Sequence, residues 1–178
     1  DLAEVVPGFE VAKGIGSGSG FVMRGIGSYG VGAAVVSSIV TSVNGHSVNP
    51  SIMTDMGFMD LERIEVLNGP QGTLFGRNSV AGVINLITKR PTDEFEGSIR
   101  YEGGSWDKET VQGAINVPFS DNVRGRLAFM TNTREGMVDN PYTGNVMDDR
   151  NDEAVRLSID WDINDTTELR FTYSGQKS

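Results

Sequence analysis

Residues 20–40, GFVMRGIGSYGVGAAVVSSIV, set Gly25, Gly27 and Gly30 in a G-x-G-x-x-G spacing between two apolar runs. Glycines so spaced can bring the backbone close to a pyrophosphate at the start of a helix. That chemistry needs a strand before the glycines, a helix after them, and an acid about 20 positions on to hold a ribose. The FVM triplet supplies the strand, but AAVVSSIVTSV is rich in β-branched residues, which disfavour a helix. It also runs into Asn44-Gly45, a hairpin turn signal, with no acid at its end. In a chain with 23 glycines a lone G-x-G-x-x-G is a weak signal, and the residues argue against a nucleotide site.

Other groups fail on their own chemistry. Asp160, Asp162 and Asn164 begin like a calcium loop, but its twelfth position, where a bidentate acid is required, is Phe171. The DDRNDE run, residues 148–153, could gather a cation on a loop, though such a charge run reads as a solvated face. His46 is the only histidine and the chain has no cysteine, so no metal site can be assembled around it, and it reads as a turn residue. No Ser/His/Asp arrangement and no carboxylate pair with a plausible base is visible. The residues therefore imply no cofactor, no metal and no enzyme.

The elements that would position any site divide the chain in two. Its 178 residues suffice for one domain or a small domain plus part of another, and no apolar run reaches the ~18 residues that would cross a bilayer as a helix. A net charge of −9 without a Lys/Arg cluster argues against a nucleic-acid partner; the acidity reads as surface solvation. The opening DLAEVVPGF, without an initiator Met, suggests a fragment or a mature piece. Up to about Thr92 the chain is glycine-rich with short apolar runs, expected to form strands near residues 21–23, 39–43, 64–67 and 82–88 in one small mixed sheet.

From Phe95 onward apolar and polar residues alternate with period two, as in strands with one apolar and one polar face. Ile99 and Tyr101 oppose Arg100 and Glu102; Leu127 and Phe129 oppose Arg126 and Ala128; Leu157, Ile159 and Trp161 oppose Ser158 and Asp160. A soluble sandwich would bury the apolar faces, whereas an outer-membrane barrel would turn them to lipid and the polar faces to a wet lumen. Short turns are expected at residues 120–122 and 164–166, against a long polar loop at residues 133–153. Alternating short and long ends suit a barrel. Trp161, beside a short turn, fits either an aromatic girdle or an ordinary core.

One stretch adds a resemblance. MDLERIEVLNGPQGTLFGRNSVAGVINLITKRP, residues 59–91, resembles the plug domain of TonB-dependent outer-membrane receptors. The matching elements are Glu62, Arg63 and Glu65 in an acidic-Arg-hydrophobic-Glu-Val strand, Gly69-Pro70, the Phe75-Gly76 turn, the Gly-x-Ile-Asn run at residues 82–85, and the Thr-Lys-Arg-Pro exit at residues 88–91. VPGFEV at residues 6–11 and MRGIG at residues 23–27 are similar to further family segments, and VNGHSV stands where the family has a hairpin tip.

The resemblance implies an α+β plug with a small mixed sheet over residues 1–92, followed by antiparallel transmembrane β-barrel strands over residues 93–178. It implies energy-coupled import across the bacterial outer membrane, with TonB, a ferric siderophore and outer-membrane lipid as partners; a β-rich binding module without transport is the alternative. It further implies a signal peptide, a TonB box and the first part of the plug before Asp1, and most of about 22 barrel strands after Ser178. Ser28, Tyr29, Asn49 and Ser51 fall in segments that align with apical, ligand-facing plug loops, where Gly25, Gly27 and Gly30 would serve as turn residues. Arg24, with Gly25, ends the family's Arg-Gly strand and locks plug to barrel. The second lock position, usually Arg before Gly-Pro, is Asn68 here, which implies a lock resting mainly on Arg24.

Overall fold

The computed structural model describes residues 9–13, 19–23, 25–27, 38–48, 59–75, 79–139, 146–147 and 149–177. The chain divides into two units, Asp1–Thr88 and Lys89–Ser178.

In the first unit β1 (Phe9–Lys13), β2 (Ser19–Met23) and β3 (Ile26–Gly27) form a three-stranded antiparallel sheet in that order. Gly25 makes the β2–β3 turn at φ +76°, a left-handed conformation natural to glycine, and sets Met23 opposite Ile26. The G-x-G spacing thus opens a tight antiparallel hairpin rather than a strand-to-helix phosphate loop. The grouping of residues 21–23 with the mixed sheet is corrected by the same pairing, since β2 finds its partners on both sides within its own sheet.

The mixed sheet itself is formed by β4 (Ile39–Val43), β5 (His46–Val48), β6 (Leu61–Asn68) and β7 (Gly82–Thr88), in the order β5-β4-β7-β6. The β4–β7 pair is parallel and the others antiparallel. Asn44 and Gly45, at φ 52° and 82°, make the β4–β5 hairpin turn, whose twist suits the flanking strands. Between β6 and β7 lies one helical turn, α1 (Gly72–Phe75). It is the only helix among the described residues, so the helical layer of an α+β fold is not observed there.

Apolar side chains at alternate positions of β4, β6 and β7 meet on one face. Met23, Ile39, Ala81, Ile84 and Leu86 are buried, with Val43, Val48, Leu61, Ile64 and Val66 packed around them. Each large aliphatic side chain so buried contributes about 1.5–3 kcal/mol. Gly82 enters this core at φ +157°, where an added Cβ would lie 2.5 Å from the Leu67 carbonyl oxygen and 2.5 Å from Met23 Sδ.

In the second unit β8 (Glu96–Gly104), β9 (Lys108–Ser120), β10 (Val123–Arg134), β13 (Arg150–Asn164) and β14 (Thr167–Lys177) make an antiparallel five-stranded sheet. Each strand pairs with its neighbour in this list. β11 (Val138–Asp139) and β12 (Val146–Met147) form a small ribbon between β10 and β13. The tight turns fall at Asp121-Asn122 and Asp165-Thr166, as expected. The long loop is shorter than expected, because pairing continues from Thr131 opposite Glu153 to Arg134 opposite Arg150. Backbone hydrogen bonding persists there after the side-chain alternation has ended. The sheet is open, with β8 and β14 as its edges, and no barrel closes within the described residues.

Candidate functional site

In the first unit, two of the motif residues, Asn85 and Glu65, meet Ser42 on the face of the mixed sheet opposite its core. Register places Ser42, Asn85 and Glu65 on one rung across β4, β7 and β6. The buried Asn85 accepts through Oδ1 from Ser42 Oγ at 2.8 Å and from the Gly45 N–H at 3.0 Å. Its Nδ2 donates to Glu65 Oε2 at 3.0 Å. Glu65 Oε1 accepts from Arg63 Nε at 2.9 Å, and Arg63 Nη1 reaches Glu62 Oε1 at 2.6 Å. The hydrogen bond from Asn85, followed by that from Arg63, holds the Glu65 carboxyl below its ordinary value. At the same end of β7, Asn44 Nδ2 donates to Thr88 Oγ1 at 3.0 Å and Asn44 Oδ1 accepts from the Thr88 N–H at 3.0 Å. The hairpin tip and the motif strand are thus tied to the unit's last strand by polar bonds.

The second unit has its faces inverted relative to a soluble protein. Ile99, Ile115, Leu127, Phe129, Trp161, Phe171 and Tyr173 are exposed, Ile99 to 78%. On the opposite face Asn116, Arg126, Asp152, Arg156, Ser158 and Asp160 are buried, Asn116 and Asp160 to 0% and 2% exposure. A soluble sandwich would do the reverse. Along β9 the apolar face runs from Val111 to Phe119, eight steps or about 27 Å of strand, which matches the ~25 Å apolar band of an outer-membrane barrel once the strand is tilted. Exposed Trp161, paired with Leu169 beside the short turns, is not a core residue and stands at one margin of the band.

The buried polar face carries charge in compensated groups. Asp160 receives a two-pronged bond from Arg170, Nε to Oδ1 at 2.7 Å and Nη2 to Oδ2 at 3.0 Å, and a third from Arg90 Nη2 at 3.2 Å. Arg90 also bonds Glu168, to which Arg170 donates at 2.6 Å. Arg124 lies between Asp93, at 2.9 Å, and Asp162. Asp160, Asp162 and Asn164 lie along the extended strand β13, so the first two are arginine partners in a sheet and not ligands on a calcium loop. Asp152 of the DDRNDE run is buried and accepts from Asn132 Nδ2 at 3.4 Å, so that run is not solvated throughout.

These groups also hold the non-strand residues that lead into β8. The Thr92 N–H donates to Asn116 Oδ1 at 3.0 Å, and Asn116 Nδ2 donates to the carbonyls of Thr92 at 2.9 Å and Glu94 at 2.6 Å. With Asp93 on Arg124 and Arg90 on Asp160 and Glu168, residues 90–94 form a strap across the polar face, bonded to β9, β10, β13 and β14.

Of the residues singled out from sequence, Glu62, Arg63 and Glu65 are brought together. Asn68 is exposed at the end of β6, opposite Gly82. Gly69, at φ 85°, and Pro70 turn the chain; Gly69 N–H bonds the Ala81 carbonyl at 3.0 Å and Gln71 N–H the Ser79 carbonyl at 2.9 Å, closing the excursion around α1. Arg24, Ser28, Tyr29, Gly30, Asn49, Ser51 and Gly76 lie outside the described residues. His46 opens β5, just past the hairpin turn. Sequence reasoning missed the hub role of Asn85 and the clamp role of Asn116. A signal was present for the first, a lone amide inside the apolar run GVINLIT, where an unbonded polar group would be costly.

Residues 1–83 match the family model described as TonB-dependent Receptor Plug Domain. Among curated proteins, the ferripyoverdine receptor of Pseudomonas aeruginosa is 34% identical over 122 residues, 64% of this chain and 15% of that protein. The pesticin receptor of Yersinia enterocolitica is 32% identical over 97 residues, 53% of this chain and 14% of that protein. Among solved structures, the ferric yersiniabactin uptake receptor from Yersinia pestis matches with a TM-score of 0.85 at 23% identity, covering 98% of this chain and 28% of that chain. At that identity the likeness is one of fold. The pyoverdine outer membrane receptor from P. aeruginosa, bound to pyoverdine, matches with a TM-score of 0.74 at 25% identity, covering 96% and 23%. The chain thus spans well under a fifth of the length of these curated relatives.

Proposed function

We propose, from the plug-domain match over residues 1–83 and the similarity to ferric-siderophore receptors, that the chain belongs to the TonB-dependent receptors and serves in the import of a ferric siderophore across the bacterial outer membrane. Residues 1–92 act as plug and residues 93–178 as the first wall strands of the barrel. Ligand binds at the outer apices of plug and wall, and TonB, drawing on the inner-membrane proton-motive force, displaces the plug so that ligand passes. The family is one of transport receptors, and no bond is made or broken in this step.

The observation that carries the reading is the inverted sheet: Leu127 and Phe129 exposed on one face, Arg126, Arg156 and Asp160 buried on the other. A soluble β-rich binding module would leave that apolar face in water, which disfavours the alternative. Ser28, Tyr29, Asn49 and Ser51 are assigned to ligand contact, and Arg24, with a lesser part for Asn68, to the lock with barrel strands outside this chain.

The test is uptake of 55Fe by cells carrying the full-length receptor, offered a panel of hydroxamate, catecholate and mixed-ligand ferric siderophores, with and without TonB. Uptake of at least one that needs both receptor and TonB is expected. Uptake of none, or receptor found outside the outer-membrane fraction, would overturn the proposal.

A further inference from the structure

Asn116 performs with one side chain what a strand does with its backbone. It accepts from the Thr92 N–H and donates to the Thr92 and Glu94 carbonyls, at 3.0, 2.9 and 2.6 Å, and it is fully buried, so water does not compete for those bonds. Arg124, itself on the buried polar face, adds a charge-assisted bond to Asp93 at 2.9 Å. Arg90 adds two more, to Asp160 and Glu168, whose other partner Arg170 fixes both acids in place. The strap residues have no strand partner, so every one of these bonds can break without disturbing a backbone ladder of the wall sheet.

The strap follows directly on β7, the last strand of the first unit, and is the sole covalent route from that unit to the wall. A pull along the first unit is therefore carried by the backbone into residues 90–94. We propose that this strap is a mechanical stop and that Asn116 and Arg124 are its positioning residues: they hold the C-terminal end of the plug to the wall while the rest is pulled, and so limit how far the channel opens. The inference rests on the proposed TonB-driven import.

The experiment uses the full-length receptor with Asn116→Leu, which keeps bulk and removes all three bonds, and compares cells with and without TonB. Ferric-siderophore binding to de-energised cells and receptor level in the membrane are expected to stay within about twofold of wild type, while vancomycin entry in energised cells rises about tenfold or more and stays low without TonB. Equal leak in both backgrounds would mean a merely structural role and overturn the proposal, as would no added leak at all. A Thr92→Cys/Asn116→Cys pair guards against misfolding: oxidised, it should give wild-type leak, and reduced, the TonB-dependent leak. Leak that ignores the state of this bond also overturns the proposal. Wild-type cells that take up none of the panel would overturn the import reading itself, whereas normal wild-type uptake with an unaltered variant sinks only the stop.

Discussion

Asn85 Nδ2 donates to Glu65 Oε2 at 3.0 Å across the β6–β7 pair, and the same amide accepts from Ser42 through its oxygen. Replacing it by Leu would keep volume but leave the buried Ser42 hydroxyl and one Glu65 oxygen without their partner. A loss of about 1–3 kcal/mol in the first unit is expected, read as faster hydrogen exchange at β7 amides with the β9 and β10 amides unaffected.

The Glu65 carboxyl, held below its ordinary value chiefly by that Asn85 bond, makes the same ladder acid-sensitive. A lowered folded-state value means the stabilisation is complete above the unfolded value near 4.5 and is lost as pH falls through the folded one. Protection of the β6 and β7 amides should therefore fall in mild acid. Glu65→Gln should flatten that dependence, and an unchanged slope would count against the ladder as its source.

At Gly82 a methyl group would meet the Leu67 carbonyl oxygen and Met23 Sδ, both at 2.5 Å. The carbonyl belongs to a paired backbone and cannot step aside. Gly82→Ala should destabilise the first unit by about 1–3 kcal/mol or more, visible as increased protease cleavage within residues 1–88 and a reduced receptor level.

Leu127 lies on the exposed apolar face, midway along the run from Val111 to Phe119 on the neighbouring strand. Leu127→Arg should cost about 2–4 kcal/mol in a bilayer, measured by denaturant unfolding in lipid vesicles. In the same vesicles brominated lipid should quench Trp161, which shares that face. Absence of quenching would remove the lipid contact.

Alanine at Ser28, Tyr29, Asn49 and Ser51 should weaken ferric-siderophore binding by the full receptor without lowering its membrane level. For the lock, Arg24→Ala should loosen the plug, read as protease access or entry of small antibiotics, more than Asn68→Ala does. An amide brings neither a charge nor a two-pronged fork to a carboxylate. The opposite order would transfer the lock to Asn68.

The strands of the second unit were legible from sequence because a face that must be uniformly apolar writes itself as strict alternation, and residues 95–102, 111–117, 123–130, 155–161 and 169–174 obey it. Which face is covered was not legible, since alternation is the same for a sandwich and a barrel; the burial of Arg126 and Asp160 decides it. Residues 131–134 and 150–153 escaped as strand because beyond the apolar band the ladder needs only backbone partners. In the first unit the Asn44-Gly45 turn and the strands around it were readable locally. The parallel match of Ile39 with Gly82 was not, nor was the separate sheet that claims residues 21–23. The motif marked Glu62, Arg63 and Glu65 as a group, but that Asn85 joins them follows only from register.

Connectivity sets the two units on different clocks. After β8, every strand of the second unit's main sheet pairs with the one before it in that sheet, most through a tight turn, so that sheet can zip hairpin by hairpin with little loop entropy to overcome. The β4–β7 pair instead joins residues as far apart as Ser42 and Asn85, separated by 43 positions, and a parallel pair admits no local nucleus. The first unit, although its residues leave the ribosome first, therefore cannot complete its central sheet until β7 has been made. Its folding should be the slower of the two and the more dependent on protection of its half-formed edge.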